Sequence, residues 1–213
     1  MKLHKTIKIT IILAVVACLA MVALMFVACG NGDYGVAEDF SFSRVGAGYT
    51  VTGAIGAVGD VLVIPDEHNG VPVTAIGTNA FQNTTVYTVV ISNNVTVIGD
   101  YAFDGAANLV ALTLPLNMQS IGRAAFRNNV SLGALFINAT TIGDYAFYGN
   151  TELSAVTLGD DVITIGTSAF EGNTLLSAIT LGSAVEVIGD RAFYGAVELA
   201  AITIISNVTT IGS

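Results

Sequence analysis

Leu109-Val110-Ala111-Leu112-Thr113-Leu114-Pro115-Leu116-Asn117-Met118-Gln119-Ser120-Ile121-Gly122-Arg123-Ala124-Ala125-Phe126 is the clearest copy of the pattern that this chain repeats. Leu109, Leu112 and Leu114 take the spacing of a short strand with one buried face, since successive strand side chains point to opposite sides. Ile121-Gly122-x-x-Ala125-Phe126 follows. The same ending occurs at Ile76–Phe81, Ile98–Phe103, Ile142–Phe147, Ile165–Phe170 and Ile188–Phe193. Successive Ile residues are 22, 23, 21, 23 and 23 positions apart, and another 23 reaches Ile211-Gly212. A fixed period of this length marks a solenoid, in which each unit buries its apolar face only against its neighbours.

The strand frame recurs as Val86, Val89 and Ile91; Leu132, Leu135 and Ile137; Leu153, Val156 and Leu158; Leu176, Ile179 and Leu181; and Leu199, Ile202 and Ile204. A second extended piece precedes each Ile-Gly, as in Val95-Thr96-Val97-Ile98. The Ala-Phe is expected on a helical or 3₁₀ turn, with Phe81, Phe103, Phe126, Phe147, Phe170 and Phe193 forming a spine on the convex side. The recurrent Gly serves either a backbone bend or a close approach between coils. Three residues after the Phe, Asn129, Asn150 and Asn173 are placed to satisfy backbone groups between coils.

Composition narrows the function. All three Lys (Lys2, Lys5, Lys8) lie at the N-terminus, so the remainder sets four Arg against 16 Asp plus Glu, a net charge of 4 − 16 = −12. Such a surface cannot follow a phosphate backbone, which excludes nucleic acid as a partner. The basic start, the apolar run from Ile11 to Ala28 and Cys29-Gly30-Asn31 read as an export signal. Residues 1–28 are expected to be a lipoprotein-type signal peptide, with Cys29 the lipidated residue after Phe26-Val27-Ala28. Cys18, an uncleaved membrane-spanning anchor and simple secretion are the alternatives. Both Cys lie in this segment, leaving none for a disulfide or metal site in the repeats.

Residues 29–48, rich in Gly, Ser and acids, read as a flexible tether, although Phe40 and Phe42 are able to dock on the array. Residues 49–76 form the N-terminal cap and first strands, and residues 77–213 form the repeats, the last of them incomplete. The Leu-x-x-Leu-x-Leu-Pro-x-x-Met-x-x-Ile-Gly-x-x-Ala-Phe pattern, together with Tyr49-Thr50-Val51-Thr52-Gly53, Val63-Ile64-Pro65 and Asn69 to Gly77, resembles the BspA-like leucine-rich repeat family of bacterial surface proteins. The resemblance covers residues 49 to 213. It implies a right-handed solenoid at the cell surface, used for adhesion or for binding host or neighbouring-cell proteins, and no catalytic residue or cofactor. The family often carries Cys three residues after the Phe, where this chain has Asn, Ala or Thr.

Few residues invite catalysis. His68, the one His outside the export segment, lies in the turn Asp66-Glu67-His68-Asn69-Gly70 and is expected in solvent. Asp160-Asp161 suggests a carboxylate pair or cation site, but consecutive strand-end acids point apart; Asp60, Asp66 and Glu67 lack the spacing of a calcium loop. Five Asn-x-Ser/Thr triplets, such as Asn94-Val95-Thr96, fit the glycosylation pattern, which a bacterium would leave unread. The outward residue between the inward pair of each strand nominates a binding face: Val90, Thr113, Phe136, Thr157, Thr180 and Thr203. Its bland counterpart is that Thr simply suits a strand. The expected function is that of a surface protein binding an extracellular protein or glycan through this concave sheet and held to the membrane by a lipid or an N-terminal helix. A structural spacer is the alternative, and an enzyme is disfavoured by the residue inventory.

Overall fold

The structure, a computed structural model, describes residues 34–35 (backbone only), 40–56 and 58–213. Cys29 and the export segment lie outside the described residues. The array opens with β1 (Tyr34–Gly35), β2 (Phe40–Val45), β3 (Gly48–Ala54), β4 (Val61–Ile64), β5 (Glu67–His68) and β6 (Val71–Ile76). Each following coil supplies one longer strand and one two-residue strand. These are β7 (Thr88–Ile91) and β8 (Val97–Ile98), β9 (Ala111–Thr113) and β10 (Ser120–Ile121), β11 (Ala134–Ile137) and β12 (Thr141–Ile142), β13 (Ala155–Leu158) and β14 (Thr164–Ile165), and β15 (Ala178–Thr180) and β16 (Val187–Ile188), with β17 (Thr210–Ile211) last.

All coil-to-coil pairings are parallel, as a chain that returns one coil later in the same direction requires. The unbroken sheet is built by the strands that end at the Ile of Ile-Gly and is continued at its N-terminal end by the β3-β2 hairpin, in the order β17-β16-β14-β12-β10-β8-β6-β3-β2. Ile76, Ile98, Ile121, Ile142, Ile165 and Ile188 are buried along it. The longer strands divide into two sheets, β1-β4-β7-β9 and β11-β13-β15. The continuous concave sheet expected from the Leu-x-x-Leu-x-Leu frame is therefore interrupted between β9 and β11. Thr203 lies outside any strand, in the last described coil, whose Leu199 and Ile202 are only partly covered and whose Ile204 is exposed.

The stretch read as a flexible tether is ordered from Phe40, because β2 pairs antiparallel with β3 in a hairpin. Phe40 is 3% exposed and meets the Phe81 ring edge-on at 6.0 Å, closing the N-terminal end of the core. From there the rings of Phe81, Phe103, Phe126, Phe147, Phe170 and Phe193 stack with centroids 5.1–5.7 Å apart and interplanar angles of 3–18°. Burying each ring contributes roughly 2–3 kcal/mol by area. Near-parallel stacking in the aromatic contact range adds about 0.5–1.5 kcal/mol per pair.

The turns that carry the Phe are not helical, and no helix occurs among the described residues. In the third repeat Ala125 N donates to Gly122 O (3.3 Å) and Arg127 N to Ala124 O (3.2 Å), while Ala124 has φ = 51° and Asn128 φ = 59°. Left-handed residues recur at the second variable position of the motif (Asn79, Tyr101, Ala124, Tyr145, Ser168, Arg191) and two after the Phe. A helical or 3₁₀ segment needs consecutive right-handed residues, so each left-handed one breaks it into separate turns, and in the Gly122–Ala125 turn it takes the third position, where type II requires positive φ. The interruption frees alternate N–H groups to bond the next coil: Ala124 N to Asp144 O, Phe126 N to Ala146 O and Asn128 N to Tyr148 O, at 2.8–2.9 Å.

The recurrent Gly is a matter of space. None of Gly99, Gly122, Gly143, Gly166 or Gly189 has a positive φ, yet a Cβ on any of them would lie 2.5–2.8 Å from backbone atoms of the preceding coil. Close approach, not a bend, explains the residue. It lets Gly122 N reach Ile98 O, and Gly143 N reach Ile121 O, at 2.8 Å.

Candidate functional site

With every Ile and Phe of the repeat turned inward, two faces of variable residues remain. On the long-strand face, register aligns Val63 with Val90 and Val90 with Thr113 in one sheet, and Phe136 with Thr157 and Thr157 with Thr180 in the other. Val90, Thr113, Phe136 and Thr157 are half-buried, while Thr180 and Thr203 are exposed. Buried neighbours flank the central members, as Leu135 and Ile137 flank Phe136. The six nominated residues thus occupy two aligned triplets, counting Val63, with Thr203 apart. None of these aligned residues carries a formal charge.

The second face consists of the turns, and its residues went unrecognised in the sequence. Four Tyr (Tyr101, Tyr145, Tyr148, Tyr194) and three Arg (Arg123, Arg127, Arg191) occupy variable positions there. Arg127 lies 5.5 Å from the Tyr101 ring, Arg123 5.1 Å from Tyr145 and Arg191 4.4 Å from Tyr194. Arg127 also grips the buried carboxylate of Asp104 through Nε (2.8 Å) and Nη2 (2.9 Å), and Gln82 donates to the same carboxylate at 3.0 Å. The hydrogen bond to Asp104 raises the Arg127 guanidinium above its ordinary value against the opposing effect of burial. Arg191 Nη2 meets Glu171 Oε1 at 2.6 Å. Between these two ion pairs runs an open groove of about 620 Å³, lined by Tyr145, Tyr148, Thr167 and Ser168 together with both Arg, Glu171 and Asp190.

Polar residues that invited other readings are engaged in stacking. Asp100 Oδ1 accepts from Arg123 N and Asp144 Oδ1 from Thr167 N, both at 2.8 Å. Asp160 Oδ1 accepts from Ser183 N (2.8 Å) and Asp161 Oδ2 from Asn138 Nδ2 (2.7 Å), so these neighbours serve separate inter-coil bonds. Among the described residues no group of three or more His, Cys, Asp or Glu gathers as a metal set would. His68 is half-buried, stacked on Phe42 at 4.0 Å and edge-on to Tyr49, which ties the turn to the hairpin. Asn129, Asn150 and Asn173 form a buried ladder in which Asn150 Oδ1 accepts from Asn129 N (2.7 Å) and Asn173 Oδ1 from Asn150 N (2.8 Å). Asn129 Oδ1 gains no such bond. The preceding coil has Ala106 there, whose N–H is already taken by Phe103 O.

The model of the BspA-type leucine-rich repeat region matches residues 74–140 and 131–213, six copies in all and more than half of the chain. This chain belongs to the BspA-type leucine-rich repeat family. No curated protein matches it. Among solved structures, a leucine-rich cell surface protein of Faecalibacterium prausnitzii is 28% identical with a TM-score of 0.73, over 86% of this chain and 51% of that one. The leucine-rich repeat protein of T. pallidum is 25% identical with a TM-score of 0.60, over 78% and 91% respectively. A leucine-rich repeat protein of Eubacterium ventriosum, 22% identical with a TM-score of 0.68 over 84% and 50%, shares the fold. The chain spans about half the length of the F. prausnitzii and E. ventriosum proteins. In this BspA-type repeat protein the recurrent motif accounts for the buried Ile and Phe, and the two outward faces are built from the residues that change between repeats.

Proposed function

We propose that this protein is exported, displayed at the cell surface and used to bind an extracellular protein through its long-strand face. The observation that carries this reading is the aligned, uncharged row in which half-buried Phe136 stands beside half-buried Thr157 and Thr157 beside exposed Thr180. A pleated surface of this kind loses little on desolvation, and an aromatic on it can anchor a partner. The F. prausnitzii relative is described as a cell surface protein. Attachment through a lipid on Cys29 follows from the sequence before it, and the right-handed winding from the family. Mass spectrometry of the mature N-terminus is expected to find lipid-modified Cys29.

The binding test uses pull-down of matrix and bacterial surface proteins by the wild type and by Phe136→Asp. Saturable capture that falls by about tenfold or more in a folded Phe136→Asp variant is the expected outcome. Equal capture by both would remove the long-strand face as the site, and no capture by the wild type would favour the spacer.

A further inference from the structure

We infer that the groove on the turn face is a second binding site, for a neutral oligosaccharide. Four observations converge on that ligand chemistry. The first is composition: in a chain with 11% charged and 8% aromatic residues, seven of the large planar side chains fall on one face, at positions that the repeat leaves free. Tyr and Arg supply broad, rigid contact area at low entropic cost, and they dominate binding hot spots.

The second is charge. Arg127 and Arg191 are balanced by Glu171 and Asp190 among the lining residues, and Arg127 is further neutralised by Asp104. A sulfated or phosphorylated ligand would find no uncompensated cation in the groove, whereas an uncharged one avoids the cost of desolvating its own charge. The third is the form of the polar groups. Beyond the atoms used in the Arg127–Asp104 and Arg191–Glu171 pairs, each guanidinium has further N–H donors and Glu171 and Asp190 each have a second carboxylate oxygen, a mixture of donors and acceptors that matches the hydroxyls of a sugar ring. Tyr145 and Tyr148, 6.0 Å apart and tilted by 58°, provide aromatic surface for the flat C–H face of that ring.

The fourth is periodicity. The groove crosses four successive coils, from Arg127 through Tyr145 and Thr167 to Arg191. Parallel strands lie about 4.8 Å apart, a spacing close to the advance of one pyranose along an extended chain. A ligand with a repeating unit therefore meets one coil per unit, with Arg127, the Tyr145–Tyr148 pair, Thr167 and Glu171, and Arg191 in succession. A folded protein partner would need a broad apolar centre to its contact, and this groove is lined mostly by polar and charged residues.

The test is an array of neutral, sialylated and sulfated oligosaccharides probed with the full chain in detergent, alongside Tyr148→Ala, Thr167→Trp and Phe136→Asp. The expected result is retention on neutral oligosaccharides that falls by about tenfold or more in Tyr148→Ala. Thr167→Trp, which fills the groove and leaves both Tyr and both Arg in place, should lose the signal as well, covering the case in which Tyr148→Ala does not fold. Phe136→Asp should keep it, which separates this site from the long-strand face. No retention on neutral oligosaccharides, retention confined to sulfated or sialylated ones, or retention undiminished in a folded Thr167→Trp variant would each overturn the inference.

Discussion

Gly143 and Gly77 occupy the same place in the repeat under different constraints. A Cβ on Gly143 would sit 2.8 Å from Gly122 C and Ile121 O of the preceding coil, whereas on Gly77 its nearest neighbour would be Val51 O at 3.2 Å. Gly143→Ala should therefore cost about 1–3 kcal/mol in urea denaturation, as over-packing against fixed backbone does. Gly77→Ala should be nearly neutral, because only a small shift is needed there. The left-handed residues allow a similar discrimination. Asn79 is exposed with φ = 57°, so Asn79→Val should destabilise by about 1–2 kcal/mol, and Asn79→Gly should leave the melting midpoint unchanged or raised. A right-handed 3₁₀ turn would reverse that order, with Gly the costlier substitution. The sequence showed that Gly recurs, but it left a bend and a close approach equally open. Tyr, Ala, Ser and Arg at the left-handed position gave no warning, since none of them favours positive φ.

At the level of the element, the six-residue motif is a device for stacking. Its Ile ends a two-residue strand, its Gly admits the neighbouring backbone, and its broken turn aims the Phe N–H at the next coil while placing the ring against the previous one. Phe147 lies in mid-spine, wholly buried, with rings 5.3 Å away on both sides. Phe147→Ala should lower stability by about 3–5 kcal/mol in thermal or chemical denaturation. Phe193, which is only partly buried and has one ring neighbour, should tolerate the same change better. Alternation of Leu and Val made the longer strands legible. The greater continuity of the short strands was not, because two residues such as Ser120-Ile121 carry no periodic signal until the neighbouring coil supplies their partner. The hairpin from Phe40 was hidden for a related reason: Ser41, Ser43 and Gly46 look like a linker, and only docking of Phe40 on Phe81 decides otherwise.

For the folded array as a whole, constant residues build and variable residues face outward. The period disclosed the architecture because each coil needs only its neighbours. The long-strand face was legible for the same reason, since it follows from alternation once the strand is placed. The turn-face groove was not legible: Tyr145, Thr167 and Arg191 belong to different coils and meet only through the stacking register. That register is also where the account is most exposed. Phe81 N, Phe103 N, Phe126 N, Phe147 N and Phe170 N each donate to an Ala carbonyl one coil ahead, at 2.7–2.8 Å. A helical turn would direct those amides back along their own coil. Native-state hydrogen exchange followed residue by residue by NMR, combined with through-bond hydrogen-bond couplings, tests this directly. The account predicts slow exchange at all five Phe amides, with couplings from Phe126 N to Ala146 C=O and from Phe147 N to Ala169 C=O. Fast exchange at the central Phe amides, or couplings confined within one coil, would contradict it.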